Sequence, residues 1–157
     1  MRKLRGKKYL EYDLKRGVDF IGVTCVFFCH DGKGNVLLHK RSNKCRDEVG
    51  RWDCGAGAME FGEEFEEAVK REIKEEYGIE PLALHFAGAS NILRKNGAVG
   101  THWIALIFAA RIEPEKVKIG EPEKVDEHGW FPLNKLPDPL HSALPKHLNM
   151  VKTIIEV

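Results

Sequence analysis

Phe65, Val69, Ile73 and Tyr77 recur every fourth residue, and Gly78 follows them directly. That spacing predicts an amphipathic helix over residues 64–77, ended by a glycine that can adopt the left-handed conformation of a C-cap. Strand-like runs lie on both sides of it. Residues 18–29 are rich in β-branched and aromatic side chains, and residues 36–41 follow after Asp31-Gly-Lys-Gly-Asn35. The Gly-rich interval predicts a hairpin, with Gly32 and Gly34 supplying positive φ. Residues 42–51 read as a polar loop. Downstream, residues 82–94 and 101–113 form two more strands around Lys95-Asn-Gly97, and residues 129–133 a short one. A tail helix starts at His141 or Pro145 and runs to Ile154. Residues 114–127, acidic and proline-containing, read as a mobile loop. Strands before and after the long helix, without a regular βαβα repeat, favour an α/β sandwich with a mixed or antiparallel sheet over a doubly wound parallel one.

A chain of 157 residues suits one domain over residues 1–157, with about the first 17 as an N-terminal extension. Its 25 Lys+Arg against 24 Asp+Glu leave a net charge of +1. No bulk field recruits a nucleic-acid polymer or an anionic membrane. The longest apolar run, residues 103–110, is eight residues, far short of the roughly 20 that span a bilayer. Arg2, Lys3, Arg5, Lys7 and Lys8 are not followed by the apolar stretch of a signal peptide, so they read as an ordinary basic terminus. Four cysteines without CxxC spacing fit a reducing, cytoplasmic setting. Cys25 and Cys29, with His30 or His39, could be assembled into a zinc site, but core cysteines are the stronger expectation.

The helix carries glutamates where a helix of this kind should carry apolar residues. Advancing about 100° per residue from Phe65 places Val69 near 40°, Ile73 near 80° and Tyr77 near 120°. Glu72 falls near about 340° and Glu76 near about 20°, inside that sector, with Glu75 at its edge near about 280°. Lys70 and Lys74 occupy the opposite side, as on any solvated face. Glu72, Glu75 and Glu76 are related as i, i+3 and i+4, so three like charges converge on one patch. A cation should offset them. Hard carboxylate oxygens suit Mg²⁺, with Mn²⁺ as the substitute, rather than zinc. Arg71 alone cannot neutralise all three.

The pattern Gly57-x5-Glu63-x7-Arg71-Glu72-Ile73-x-Glu75-Glu76-x-Gly78-Ile79 resembles, at every specified position, the box that defines the Nudix hydrolases. A chance match is on the order of one in a million or less at average residue usage. Weaker similarity extends from about residue 21 to 137, through Trp52, the strand around His102, Glu121-Pro-Glu-Lys124 and Trp130-Phe-Pro-Leu133. The resemblance implies a Nudix α/β/α sandwich with a mixed central sheet. It also implies a hydrolase that cleaves nucleoside diphosphates linked to another group, using water and divalent cations.

Carried over by position, Glu72, Glu75 and Glu76 would be metal ligands, with Glu72 or a neighbouring carboxylate handling the attacking water. Glu63 would pair with Arg71 to brace the site, and Gly57 would let the backbone approach metal and phosphate. A further carboxylate is expected from the loop before the last strand, with Glu123 the first choice and Glu121 and Glu127 close behind. Trp52 or Phe28 could stack on the nucleotide's base, His102 and Trp103 lie on a strand that in similar proteins borders the nucleotide pocket, and Lys40 and Arg41, at the end of a strand, are candidates for its phosphates. Core packing is the stronger expectation for the aromatic residues, and plain solvation the default for the cations. Gly55-Ala56-Gly57 stands where many relatives read Pro-Gly-Gly, which leaves the local backbone less rigidly directed. The implied substrate is a small nucleotide, with a nucleoside triphosphate favoured, an ADP-ribose or nucleotide-sugar substrate as the alternative, and a non-hydrolytic nucleotide-binding module as the third reading. Homodimers are frequent among such proteins, although the sequence carries no interface signal.

Overall fold

The structure, a computed structural model, describes residues 13–156. Seven strands build one sheet: β1 (Gly22–His30), β2 (Asn35–Arg41), β3 (Trp52–Asp53), β4 (Gly55–Ala58), β5 (Ala83–Asn96), β6 (Val99–Arg111) and β7 (Val125–Pro132). Helix α1 (Phe65–Tyr77) follows β4, and α2 (Leu144–Ile155) closes the described chain. The sheet runs β3-β2-β1-β6-β5, with β4 also on β1 and β7 also on β2. Strands β1 and β6 are parallel and the other pairs antiparallel. The sheet is therefore mixed, as the α/β/α expectation requires.

Both faces are covered, which explains why β1 and β6 read as nearly unbroken apolar runs. From β1, Cys25, Phe27 and Cys29 enter the core beneath α1, together with Val69, Ile73 and Tyr77. Val26 and Phe28 point the other way, into a core closed by Leu144, Leu148, Val151 and Ile155 of α2. Alternation along β6 repeats this division, Leu106, Phe108 and Ala110 on one side and Ala105, Ile107 and Ala109 on the other. The cysteines thus serve as small core residues. Burial pushes the Cys25 thiol up to about 11 and raises Cys29 further. Among the described residues no helix is long and apolar enough to cross a membrane.

Several boundaries differ from expectation. Strand β1 starts at Gly22 because residues 15–20 close a local turn, with the Gly17 N–H donating to Phe20 O (2.7 Å) and Lys15 N–H to Asp19 Oδ2 (2.7 Å). The β1–β2 turn forms where predicted, held by Asp31 Oδ1, which accepts the N–H groups of Lys33 (2.7 Å) and Asn35 (3.1 Å). Past the single pair His30↔Val36, however, β4 takes the edge of β1 from Thr24↔Ala58 to Phe27↔Gly55. Phe65, counted with the core, is 49% exposed and leans on Phe86 at 6.2 Å. It sits in the first helical turn, beyond the sheet's cover.

Residues 114–127 are not the open loop expected. Two single-turn 3₁₀ helices, Pro114–Lys116 and Pro122–Lys124, flank a segment docked on the C-terminal end of α1, and β7 already begins at Val125. Lys118 N–H donates to Tyr77 O (2.9 Å) and Gly120 N–H to Glu76 O (2.8 Å), satisfying carbonyls that a helix end leaves free. The approach is so close that a Cβ on Gly120 would lie 1.8 Å from Glu75 O. Gly120→Ala should therefore undock this segment and cost about 1–3 kcal/mol, the usual range for overpacking. Urea denaturation checks it, and an unchanged midpoint would disprove the docking.

Candidate active site

Helix α1 is positioned at its start by Glu64, whose N–H donates to Glu67 Oε2 (2.9 Å), and at its end by Gly78, left-handed at φ 66°. Between them Arg71 organises the buried side. Its Nε and Nη2 donate to Glu63 Oε1 and Oε2 at 2.6 and 3.1 Å, a two-pronged pair. Nη1 lies 2.6 Å from Glu72 Oε1, and Nη2 also donates to the Ala58 carbonyl at 3.1 Å. Glu63 Oε2 in turn accepts the Glu60 N–H at 2.8 Å. One guanidinium thereby fastens the segment after β4 to the helix and fixes the orientation of Glu72.

Glu72 is 12% exposed at its side chain and faces Gly57 on β4. A Cβ at position 57 would lie 1.9 Å from Glu72 Cδ and 2.1 Å from Oε2, so only glycine admits this carboxylate. Burial raises the Glu72 pKa, Arg71 opposes that, and Glu75 and Glu63 reinforce it. Glu76 is driven well above the ordinary carboxylate range by burial and then by Glu72, with Glu121 and Asp53 adding to the effect and the Ala56 backbone N–H opposing it. Glu75 is outermost, 57% exposed and 3.4 Å from Arg71 Nη1.

Among the described residues no three His, Cys, Asp or Glu side chains already surround a common point, and Glu72 is engaged by Arg71. The donor set nonetheless fits a hard divalent cation. It consists of carboxylates alone, two of them, Glu72 and Glu76, strained toward protonation first by burial and then by neighbouring carboxylates, beside a glycine that clears space at Glu72 Oε2.

This strain has a pH signature. A carboxyl whose folded pKa is raised keeps its proton longer in the native state than in the unfolded one, so the native state binds more protons and stability falls as pH rises above about 4.5. Depressed histidines elsewhere act in the opposite sense up to about pH 6.5, so the comparison must be made against Glu76→Gln, which shares them. In metal-free buffer the melting temperature of the variant should overtake that of the wild type progressively from pH 5 to 8. A pH-independent difference would remove the strain at Glu76.

Of the three helix carboxylates, Glu76 borders a cavity of about 690 Å³ lined also by His39, Arg41, Asp53, Gly57 and Lys124 among others. It shares Thr24, Arg41, Asp47, Asp53 and Trp103 with a second cavity of about 550 Å³ that reaches Ile92, Leu144 and His147. Arg41 stands at the junction, 2.8 Å from Asp47 and 3.4 Å from Asp53.

Not all of the expected residues gather here. Trp52 lies outside both cavities, edge-on to Phe131 at 5.0 Å within the core under α2, because β3 places it on the sheet's inner face. His102 lies 2.9 Å from Asn91 Oδ1 and borders a separate surface hollow with Gly17 and Phe20; its neighbour Trp103, one residue out of phase, lines both cavities instead. Glu123 is exposed and contributes only its carbonyl, accepting the Ser42 hydroxyl at 2.6 Å. Glu121 lines the cavity in its place, 3.0 Å from Lys124. Sequence reasoning missed Asp53, whose signal was an acid between Trp52 and Cys54. It also missed a network in which Glu48, at φ 48°, accepts from Ser142 N–H (2.8 Å) and lies 2.6 Å from His141 Nε2 and 3.2 Å from Arg94. No local pattern announces those long-range pairs.

An 8-oxo-dGDP phosphatase, NUDT18 of Mus musculus, is 29% identical over 91% of this chain and 41% of its own. An ADP-ribose pyrophosphatase of Methanocaldococcus jannaschii is 34% identical over 65% of this chain and 57% of its own. The chain thus spans about two fifths of the former and under two thirds of the latter. The crystal structure of a MutT NUDIX hydrolase from Burkholderia pseudomallei superposes with a TM-score of 0.71 at 32% identity, covering 83% of this chain and 98% of that one. The family profile for the NUDIX domain matches residues 20–153, and the chain belongs to the Nudix family.

Proposed function

We propose that this protein is a Mg²⁺-dependent pyrophosphohydrolase that cleaves a phosphoanhydride link of a nucleoside triphosphate to give the monophosphate and pyrophosphate. The observation that carries the reading is the Glu72 carboxylate, held against a glycine that has no room for a Cβ, one helical turn from Glu76, which lines a cavity together with Arg41 and Lys124. Glu72, Glu75 and Glu76 would hold the metal. When bound, it neutralises the phosphate chain, acidifies water and stabilises charge on the leaving oxygen.

The remaining work falls to the chain itself. Arg71 occupies Glu72 Oε1, which leaves Oε2, the oxygen facing Gly57, to accept the proton of the attacking water. Burial, with Glu75 and Glu63 adding to it against Arg71, raises the Glu72 pKa and makes this carboxylate a stronger proton acceptor than a solvated one. Oxygen from water adds to one phosphorus of the link as its bond to the bridging oxygen breaks, and that oxygen keeps the electron pair on the departing product, the monophosphate or the pyrophosphate. Arg41 and Lys124, with Lys44 and Arg46 also on the cavity wall, complement the anionic chain. Exclusion of water falls to Trp103 and to the docked segment around Ile119. Glu63 keeps Arg71 in place without touching substrate.

Product analysis tests the reading. The protein is incubated with Mg²⁺ and a panel of NTPs, oxidised dNTPs and dNDPs, ADP-ribose and nucleotide sugars. Monophosphate plus pyrophosphate from a triphosphate, abolished by EDTA and restored by Mg²⁺ or Mn²⁺, is the expected result. Cleavage of ADP-ribose alone would favour the alternative that the archaeal relative's activity suggests, and cleavage of 8-oxo-dGDP alone the one suggested by the mouse relative. Binding without turnover would identify a nucleotide-binding module.

A further inference from the structure

Tyr77, the last residue of α1, makes a bond to which hydrolysis as described assigns no role. The residue is 1% exposed, and its hydroxyl lies 2.9 Å from His39 Nδ1 on β2. Among the described residues this nitrogen is the hydroxyl's one hydrogen-bond partner. A buried O–H without an acceptor is strongly penalised, so the phenol donates and Nδ1 accepts. An imidazole nitrogen that accepts carries no proton, which puts the ring's N–H on Nε2. Burial, with Arg41 and His128 adding to it, lowers the His39 pKa to about 4, so the ring is uncharged at neutral pH.

Nε2 makes no hydrogen bond to any described residue, yet it is not sealed off. Among the described residues, His30 Nε2 is the side-chain polar atom that is both buried and unpartnered. His39 instead lines the larger cavity, whose lining also includes Glu76, Asp53 and Lys124. Its N–H therefore opens toward whatever occupies that space. An uncharged donor suits this place, since it can bind an anionic oxygen without repelling a cation held by Glu76.

We propose that His39 donates its Nε2–H to an oxygen of the substrate's phosphate chain, and that Tyr77 is the positioning residue that keeps the proton on that nitrogen. The identity of the chain as a phosphate rests on the hydrolytic reading above; the fixed donor does not.

Nitrogen NMR of the metal-free wild type reads the tautomer directly. The Nε2–H form is expected, and the Nδ1–H form overturns the proposal before any ligand is added. Calorimetric titration with imidodiphosphate, a pyrophosphate mimic with a non-hydrolysable bridge, then follows in the presence of Mg²⁺ on wild type, Tyr77→Phe and His39→Leu. Loss of one hydrogen bond should weaken binding by roughly tenfold in His39→Leu, and several-fold in Tyr77→Phe. Tyr77→Phe should also show a mixture of the two tautomers, a change that mere loss of packing would not produce. Binding within about twofold of wild type in both folded variants overturns the proposal, as does a wild type that binds no imidodiphosphate. If His39→Leu fails to fold, Tyr77→Phe decides, because it keeps the ring and its volume. Intact imidodiphosphate binding that responds to both substitutions, without turnover of any nucleotide, supports the donor and counts against hydrolysis.

Discussion

Glu76→Gln is expected to abolish turnover while preserving the fold. Replacing one carboxylate oxygen by an amide nitrogen keeps volume and shape but removes a charge that the proposed chemistry needs. Burial and Glu72 already hold this carboxyl far above its ordinary range, so in the free protein the neutral amide is better tolerated than the carboxylate. With Mg²⁺ saturating, kcat should fall by roughly 10²–10³-fold or more, the scale seen when one electrostatic contact to a transition state is removed. Circular dichroism should match the wild type. Calorimetry should show the affinity for Mg²⁺ reduced together with kcat, since one acidic ligand has gone. A near-wild-type rate would reject Glu76 as part of the catalytic apparatus.

Gly57→Ala carries the second large effect, by a different route. The new methyl would lie 1.9 Å from Glu72 Cδ and within 2.3 Å of both its oxygens, so the carboxylate must swing away. That breaks the 2.6 Å contact to Arg71 Nη1 and removes Oε2 from the place where water would be activated. Turnover should fall about 10²-fold, the loss expected from a misplaced catalytic group, with a stability cost of about 1–3 kcal/mol from overpacking. Gly100→Ala is the control: nothing lies within 4 Å of a Cβ there. If both substitutions leave kcat unchanged, the tight approach of β4 to α1 has no catalytic meaning.

The helix and its carboxylates were legible because their causes are local. A four-residue apolar repeat and a terminal glycine specify α1 wherever it packs. The β-branched and aromatic content of residues 18–29 pointed to a strand, although not to the two cores that β1 and β6 feed. Phe65 obeyed the helical period and still lies exposed, because the periodicity gives a direction and only the sheet's edge decides whether anything is there to cover it. The zinc alternative at Cys25 and Cys29 gave way to packing for the same reason. One face of β1 is roofed by α1, so both thiols are immersed in apolar side chains.

By itself the sequence determined both helices, the long strands, the α/β class, the Nudix box and the shared angular sector of Glu72, Glu75 and Glu76, but not the short strands β3 and β4 or the 3₁₀ turns before β7. The tertiary structure alone decided which groups share a cavity. It brought Asp53, His39 and Trp103 to Glu76, placed Glu121 there in preference to Glu123, and turned Trp52 and His102 to other surroundings. It also joined Glu48 to Arg94 and His141. The physical reason is that strand register and loop docking are settled by hydrogen bonds between residues far apart in sequence. A shift of one residue turns a side chain to the opposite face, and no neighbouring residue encodes which face will meet the site.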